Sequence, residues 1–417
     1  MRRARFSELR AAIEKAAGDP AAVRKLLAED GAAGDMFGER VAVDDDIAVI
    51  GAYSDDDNGK DFGSAYVFAR ATDGTWSQQA KLTAADGAAD AIFGWSVAVD
   101  GGTAVIGTWR DGDKGRFAGA VYVFVRAANG TWSQQAKLTA EDGDAGNWFG
   151  WSVAVDGGTA VIGAAGRSNS AYVFVRAANG TWSQQAKLTG EGGSELDSFG
   201  NSVAVDGDTA VIGVEGDAVN GIRSGSAYVF VRAADGTWSQ QAKLTAEDGT
   251  EWDLFGGSVA VSGGTAVIGA RHDVGGNGYV DGSAYVFARA ADGTWSQQVK
   301  LTTPDPVFLA NDAFGSSVAV DGGTAVITVV GSSYDGRGEK SGAAYVFVRA
   351  ANGTWSKQAK LTASDEATDD QFGHSVSISG DTVLIGAYGD DDRGENSGSA
   401  YVFVRAADGT WSQQAAV

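Results

Sequence analysis

The chain has 417 residues, of which 61 are glycine, three are proline and none is cysteine, and 54 acidic against 32 basic side chains give a net charge of −22. A hydrophobic share of 44% suffices for a packed core and excludes disorder throughout. The acid excess argues against a nucleic-acid partner, which needs a basic face, and the missing cysteines exclude disulfides, thiolate nucleophiles and Cys-type zinc sites.

In chain order, residues 1–36 read as a helical extension and lead-in. Phe6, Leu9 and Ile13 share one helical face and predict a helix over residues 5–17. Two readings stand for residues 20–28. Asp19-Pro20 resembles an N-cap with proline at the first helical position. Yet Lys25-Leu26-Leu27-Ala28-Glu29-Asp30-Gly31 aligns with Lys137-Leu138-Thr139-Ala140-Glu141-Asp142-Gly143, as the relic of a fourth strand would. The segment is charged throughout and lacks the apolar h-region of a signal peptide. No stretch reaches the roughly 18 apolar residues of a membrane span, so membrane insertion is not expected.

From Phe37 onward the chain is a repeat. Phe-Gly recurs at Phe37, Phe93, Phe149, Phe199, Phe255, Phe314 and Phe372, at spacings of 50–59 residues. In the second unit Ser96–Val99 and Thr103–Ile106 are β-branched runs joined by Asp100-Gly101-Gly102. Val121–Arg126 alternates with a period of two, and Asn129-Gly130 is the dipeptide of a tight hairpin leading into Trp132–Leu138. Four short antiparallel strands in about 50 residues make a propeller blade. The prediction is an all-β, seven-bladed β-propeller over 37–417 with blades starting near 37, 93, 149, 199, 255, 314 and 372, preceded by the short helical segment. Because the last unit carries its own Trp411–Val417 strand, closure by an N-terminal strand is not required.

Phe-Gly before the first strand and apolar-apolar-Gly-Ala after the second resemble the FG-GAP repeat of integrin α-subunit propellers. The Lys-Leu-Thr-Ala-Glu-Asp-Gly and Gly-Ser-Ala-Tyr-Val-Phe segments are more similar to bacterial and archaeal FG-GAP proteins. The resemblance spans residues 25–417. It implies partner binding on one face and an extracellular or cell-surface setting. Two departures matter. The proline of "GAP" is replaced by Tyr53, Trp109, Ala165, Glu215, Arg271, Val330 and Tyr388. The integrin-type calcium loop between strands one and two is a short Asp-Gly-Gly-Thr turn here, so calcium at that position is not implied.

Strand alternation sends the 4–1 and 2–3 connections to one face and the 1–2 and 3–4 hairpins to the other. The hairpin face is monotonous. Variation gathers on the first face, in Ala52–Gly63, Thr108–Gly119, Glu215–Gly225, Arg271–Gly282, Thr302–Ala313 and Tyr388–Gly398, where binding specificity is expected. Seven of the twelve tryptophans (Trp76, Trp132, Trp182, Trp238, Trp295, Trp355 and Trp411) repeat in Gly-Thr-Trp and read as scaffold. The others, Trp95, Trp109, Trp148, Trp151 and Trp252, occupy the variable face. With Tyr53, His374 and Tyr388 the first four define an aromatic sector across units 7, 1, 2 and 3, whereas Asn201, Glu215, Gly257, Arg271, Ser316 and Val330 hold those slots in units 4–6. Such rings either meet a glycan or protein or pack beneath their own loops.

Asp55 and Asp57, Asp111 and Asp113, and Asp390 and Asp392 alternate before glycine in the 2–3 loops. They read either as solvated charge or as oxygen ligands for calcium. Only His272 and His374 are present and no catalytic motif appears, so no catalytic residue is assigned and no enzyme activity is expected. Carboxylates at the channel mouth are the one route by which an enzyme reading survives. The resulting expectation is a monomeric, non-catalytic binding or adhesion module with a protein or glycan ligand and no nucleic-acid partner. The alternative is a purely structural scaffold within a larger surface assembly.

Overall fold

The computed structural model describes residues 25–191, 197–274, 280–303, 313–330 and 341–414. The helix expected over 5–17 and the first part of 20–28 lie outside the described residues. Seven four-stranded antiparallel sheets follow one another in chain order, each with its strands in sequence order. In the second blade the strands are Ser96–Asp100, Thr103–Thr108, Ala120–Arg126 and Trp132–Leu138, within two residues of the sequence reading. The chain is therefore a seven-bladed β-propeller.

Burial follows position in the blade. The second strand, for example Ile47–Ala52, is buried at every residue because both of its faces meet neighbouring blades. The fourth strand alternates half-buried and exposed residues at the outer rim, as in Trp182–Leu188. Hydrophobic cores sit between blades. Val49, Val67 and Leu82 of blade one pack with Phe93, Ile106, Tyr122 and Phe124 of blade two. The repeated phenylalanine is the centre of each such core. Phe93 is almost fully buried and meets Tyr122 and Phe124 edge-on, with centroids 5.6 and 6.0 Å apart. Burying such a ring contributes roughly 1.5–3 kcal/mol. The glycine after it is required, because Gly94 has φ +91° and a Cβ there would run into the Ser64 carbonyl of the preceding blade.

Polar bonds stitch the blades together on the monotonous face. The Asp44 carboxylate accepts the Gly101 N–H of the next blade at 2.7 Å, and Asp100 does the same for Gly157 at 2.9 Å. At the rim, the indole N–H of Trp132 donates to Gln79 of the preceding blade at 3.0 Å, and Trp182, Trp238, Trp295 and Trp411 repeat the bond. The repeated tryptophans are inter-blade scaffold, as their spacing predicts.

Ring closure corrects the sequence reading. In blade one Ala65 pairs with Leu82 and Tyr66 with Lys81. In blade seven the described fourth strand is only Trp411–Gln413, and the partner of Ala400 is Leu26. The Leu26 N–H donates to the Ala400 carbonyl at 2.6 Å and the Ala400 N–H returns a bond at 3.1 Å. Lys25-Leu26 thus stands where Lys-Leu ends every other fourth strand, and Leu26 and Ala28 join Phe37 and Tyr66 in the seam core. The Lys-Leu-x-Ala-Glu-Asp-Gly alignment is a working strand end: the C-terminal strand begins the pairing and the N-terminal segment completes it.

Candidate functional site

The first strands surround a central channel whose mouth opens on the variable face. A cavity of about 470 Å³ is lined there by Arg40, Trp151, Asn201, Gly257, Arg271 and His374, with Ser96, Ser152, Ser202, Ser258, Ser317 and Ser375 below. A second cavity of about 340 Å³ adjoins it and adds Trp148, Ala165, Ser198 and Glu215. The serines are structural: the Ser96 and Ser152 hydroxyls donate to the Gly150 and Gly200 carbonyls of the following blades, both at 2.8 Å.

Five of the predicted aromatic residues form one cluster of rings, and the other two form a pair. Tyr53 meets Trp95 edge-on at 5.3 Å, and Trp95 meets Trp109 at 5.9 Å and Trp151 at 5.0 Å. Trp109 touches Trp148 and Trp151 at 5.4 and 5.5 Å, and Trp148 stacks on Trp151 at 26° and 5.4 Å. His374 and Tyr388 meet edge-on at 4.7 Å. All seven are half-buried. Trp148, Trp151 and His374 line the cavities. Trp95 and Trp109 are packed from behind: their indole nitrogens are shut off from solvent without a hydrogen-bond acceptor. Trp252 stands apart on blades four and five, 51% exposed, with the Arg223 guanidinium 5.9 Å from its ring centre.

Two mouth residues were missed in the sequence. Glu39 occupies the slot of Trp95 and Trp151, and Arg40 occupies the slot that is serine in the other six units. That single break in a repeated position was the available signal. Glu39 is buried, its Oε1 lies 3.0 Å from His374 Nε2, and Arg40 Nη1 donates to it at 3.2 Å. Burial pushes the Glu39 carboxyl up, but the Arg40 charge and the His374 bond outweigh it and hold the group below its ordinary value. Arg40 also lies over the Trp95 ring at 5.8 Å. Across the mouth Arg271 Nη2 lies 2.9 Å from Glu215 Oε2. The Asn201 amide donates to the Gly256 and Gly257 carbonyls at 3.2 Å and accepts the Glu215 N–H at 3.2 Å, which fixes it in place.

The acidic 2–3 loops are not assembled around an empty oxygen cage. In blade one Lys81 Nζ lies 2.7 Å from Asp30, 2.7 Å from Asp55 and 2.6 Å from Asp57. In blade two Lys137 is held by Asp86, Asp111 and Asp113 at 2.9, 2.9 and 2.6 Å. In blade seven Lys25 is held by Asp365, Asp390 and Asp392 at 2.9, 2.5 and 2.9 Å. Asp55, Asp57, Asp111, Asp113, Asp390 and Asp392, read in the sequence either as solvated charge or as calcium ligands, are thus each paired with a lysine ammonium. One ammonium sits at the centre of each trio and offsets part of its negative charge, and Tyr66 and Tyr401 donate to Asp55 and Asp390 at 2.7 and 2.9 Å. Burial alone would lower the pKa of these lysines, but the carboxylate bonds outweigh it and raise all three. Burial likewise pushes Asp30 and Asp86 up, and the lysine bonds more than reverse it.

The two histidines lie apart. His374 is engaged with Glu39, whereas His272 is exposed on blade five. Among the described residues no group of three or more His, Cys, Asp or Glu side chains is arranged to hold a metal ion.

A family model described as FG-GAP repeat matches seven segments, residues 21–68, 76–124, 132–174, 182–230, 238–287, 295–347 and 355–403, most of the chain. Each match starts in or before the fourth strand of one blade and ends in the third strand of the next, and the first match takes in Lys25-Leu26. A search of curated proteins returned no match. A solved structure of a protein from Lactobacillus plantarum is similar over 89% of this chain and 96% of its own, with a TM-score of 0.57 and 16% identity, a likeness of fold alone.

Proposed function

The chain belongs to the FG-GAP repeat family, and from that premise we propose that it is a non-catalytic binding module whose ligand, a glycan or a protein surface, seats in the channel mouth on the variable face. The family's propeller fold is compatible with an interaction or a structural module. The observation that carries the binding reading is the cluster of half-buried rings at a cavity rim, with Trp148 and Trp151 facing the opening. A scaffold role alone gives no reason to place large aromatic rings at an open mouth, where each forfeits burial. Screening the protein on a glycan array, with a pull-down in parallel, should return a ligand. Trp151→Ala should weaken its binding more than about tenfold, the scale of an interface hot spot, with the melt little changed. A ligand indifferent to Trp151→Ala would remove the site from the mouth.

One observation favours a second reading. The exposed large hydrophobics among the described residues, Val219, Ile222, Trp252 and Val274, all lie in variable-face loops of blades four and five. The Trp252 N–H donates to the Ile222 carbonyl at 2.8 Å, so two of these loops are joined. A protein partner docking there would respond to Trp252→Ala and not to Trp151→Ala, which separates the readings.

A further inference from the structure

Arg40, Trp151, Asn201, Gly257 and Arg271 line both mouth cavities. Two of the five are arginine, in a chain whose net charge is −22. Both break the repeat. Arg40 replaces the serine of the other six blades, and Arg271 fills a slot held elsewhere by tyrosine, tryptophan, alanine, glutamate or valine. The fold also makes room for Arg271. Glycine stands at 257, and a Cβ there would come within 2.7 Å of the Arg271 Nη1.

Neither guanidinium is used up by its protein partner. Arg40 turns Nη1 to Glu39 and Arg271 turns Nη2 to Glu215, yet each presents five N–H donors in a planar fork. Both side chains reach solvent, at 35% and 33% exposure. Glu39 is buried and anchors Arg40 from beneath, whereas Glu215 anchors Arg271 from the wall of the smaller cavity. Beside them Trp151, backed by Trp148, offers a ring to stack on.

We propose that the mouth is a subsite for a carboxylate-bearing saccharide. The sugar ring lies on Trp151, and its carboxylate is received by the free edges of the Arg271 and Arg40 guanidinium groups. Arginine suits this role because its fork matches a carboxylate in a bidentate manner that a lysine ammonium cannot reproduce. The indole face suits the apolar C–H face of a pyranose. An acidic peptide shares the carboxylate but has no flat ring to cover Trp151. The proposal rests on the reading of the mouth as a binding site and adds the chemical class of its ligand.

The test titrates the full chain, by calorimetry and tryptophan fluorescence, with a glucuronic-acid-containing oligosaccharide, the same oligosaccharide with its carboxyl groups reduced, and a glutamate-rich peptide. The acidic sugar should bind at least tenfold more tightly than the reduced one, and less tightly as salt rises. Arg271→Gln should lose at least tenfold of that affinity. Arg40→Ser combined with Glu39→Gln, which leaves no buried carboxylate without its cation, should do the same, so the test survives if Arg271→Gln folds poorly. Equal binding of both sugars, still sensitive to Trp151→Ala, would overturn the carboxylate assignment and leave the binding reading intact. Binding of the peptide alone would overturn the saccharide class. No binding by any of the three would overturn the subsite, and the array and pull-down would then decide the broader reading separately.

Discussion

Asp35 and Asp370 sit in equivalent 4–1 loops, and both carboxyls are pushed up to about 6. Burial is the main cause, with the charges of Asp55 and Asp390 respectively adding to it, while single N–H bonds from Ala32 and Ala367 oppose it. A carboxyl whose folded pKa exceeds its unfolded value of roughly 3.9 keeps its proton longer in the folded state. Folded protein therefore binds more protons than unfolded protein between about pH 4 and 6, and these two groups make stability fall as pH rises through that window. Carboxyl-carbon NMR should show both titrating near pH 6. Asp35→Asn with Asp370→Asn should flatten the loss of stability from pH 4 to 6, and an unchanged slope would contradict the assignment. Asp30, Asp86, Asp142 and Asp248 act in the opposite sense. Their pKa values are lowered, so their contribution is present above the ordinary carboxylate value and is lost as pH falls below it. Little of this was legible in the sequence. The same Asp letters recur in both loop types, and only the three-dimensional placement of Lys81, Lys137, Lys187 and Lys300 decides which of these carboxyls are paired.

At the scale of strands and loops, periodicity and turn dipeptides were enough to place all four strands of a blade, because a period of two and an Asn-Gly hairpin have one common structural reading. Closure was not legible in the same way. The Trp411–Val417 segment looks like a complete fourth strand until Ala416-Val417 is compared with the Lys-Leu of the other units. The missing lysine and leucine come from the far end of the chain. Lys25 is 5% exposed and its contact Asp390 is 4% exposed, so removing the ammonium strands a buried carboxylate. Breaking a buried pair costs about 3–5 kcal/mol. Lys25→Met should lower stability by about that amount, and by more than Lys81→Met, because Lys25 also fixes the segment that closes the ring. Equal losses in urea unfolding would argue that closure adds nothing. With ammonium groups inside the acidic trios, millimolar calcium or a chelator should leave the melt unchanged. A rise of several degrees with calcium would show that the metal displaces lysine.

Over the whole molecule the two faces of the disc divide the work. The hairpin face repeats its Asp-to-Gly bonds from blade to blade and holds the ring together. The opposite face carries the loops that differ, the tryptophan cluster, both mouth arginines and the exposed apolar residues of blades four and five. The sequence revealed this division because strand alternation assigns each loop to a face. It also gathered the aromatic residues into one sector, since units 7, 1, 2 and 3 are neighbours in a ring. It did not reveal which rings face out. Trp95 and Trp109 share slots with Trp151 and Ala165, and their different roles arise from what packs around them. The central claim is that ligand seats in the mouth of the variable face, and hydrogen–deuterium exchange on the protein with and without a ligand captured by array or pull-down tests it most directly. Protection should appear in the segments around Trp148–Ser152 and Gly257, with the Asp-Gly-Gly and Asn-Gly hairpins unchanged, whereas protection confined to those hairpins would contradict the account.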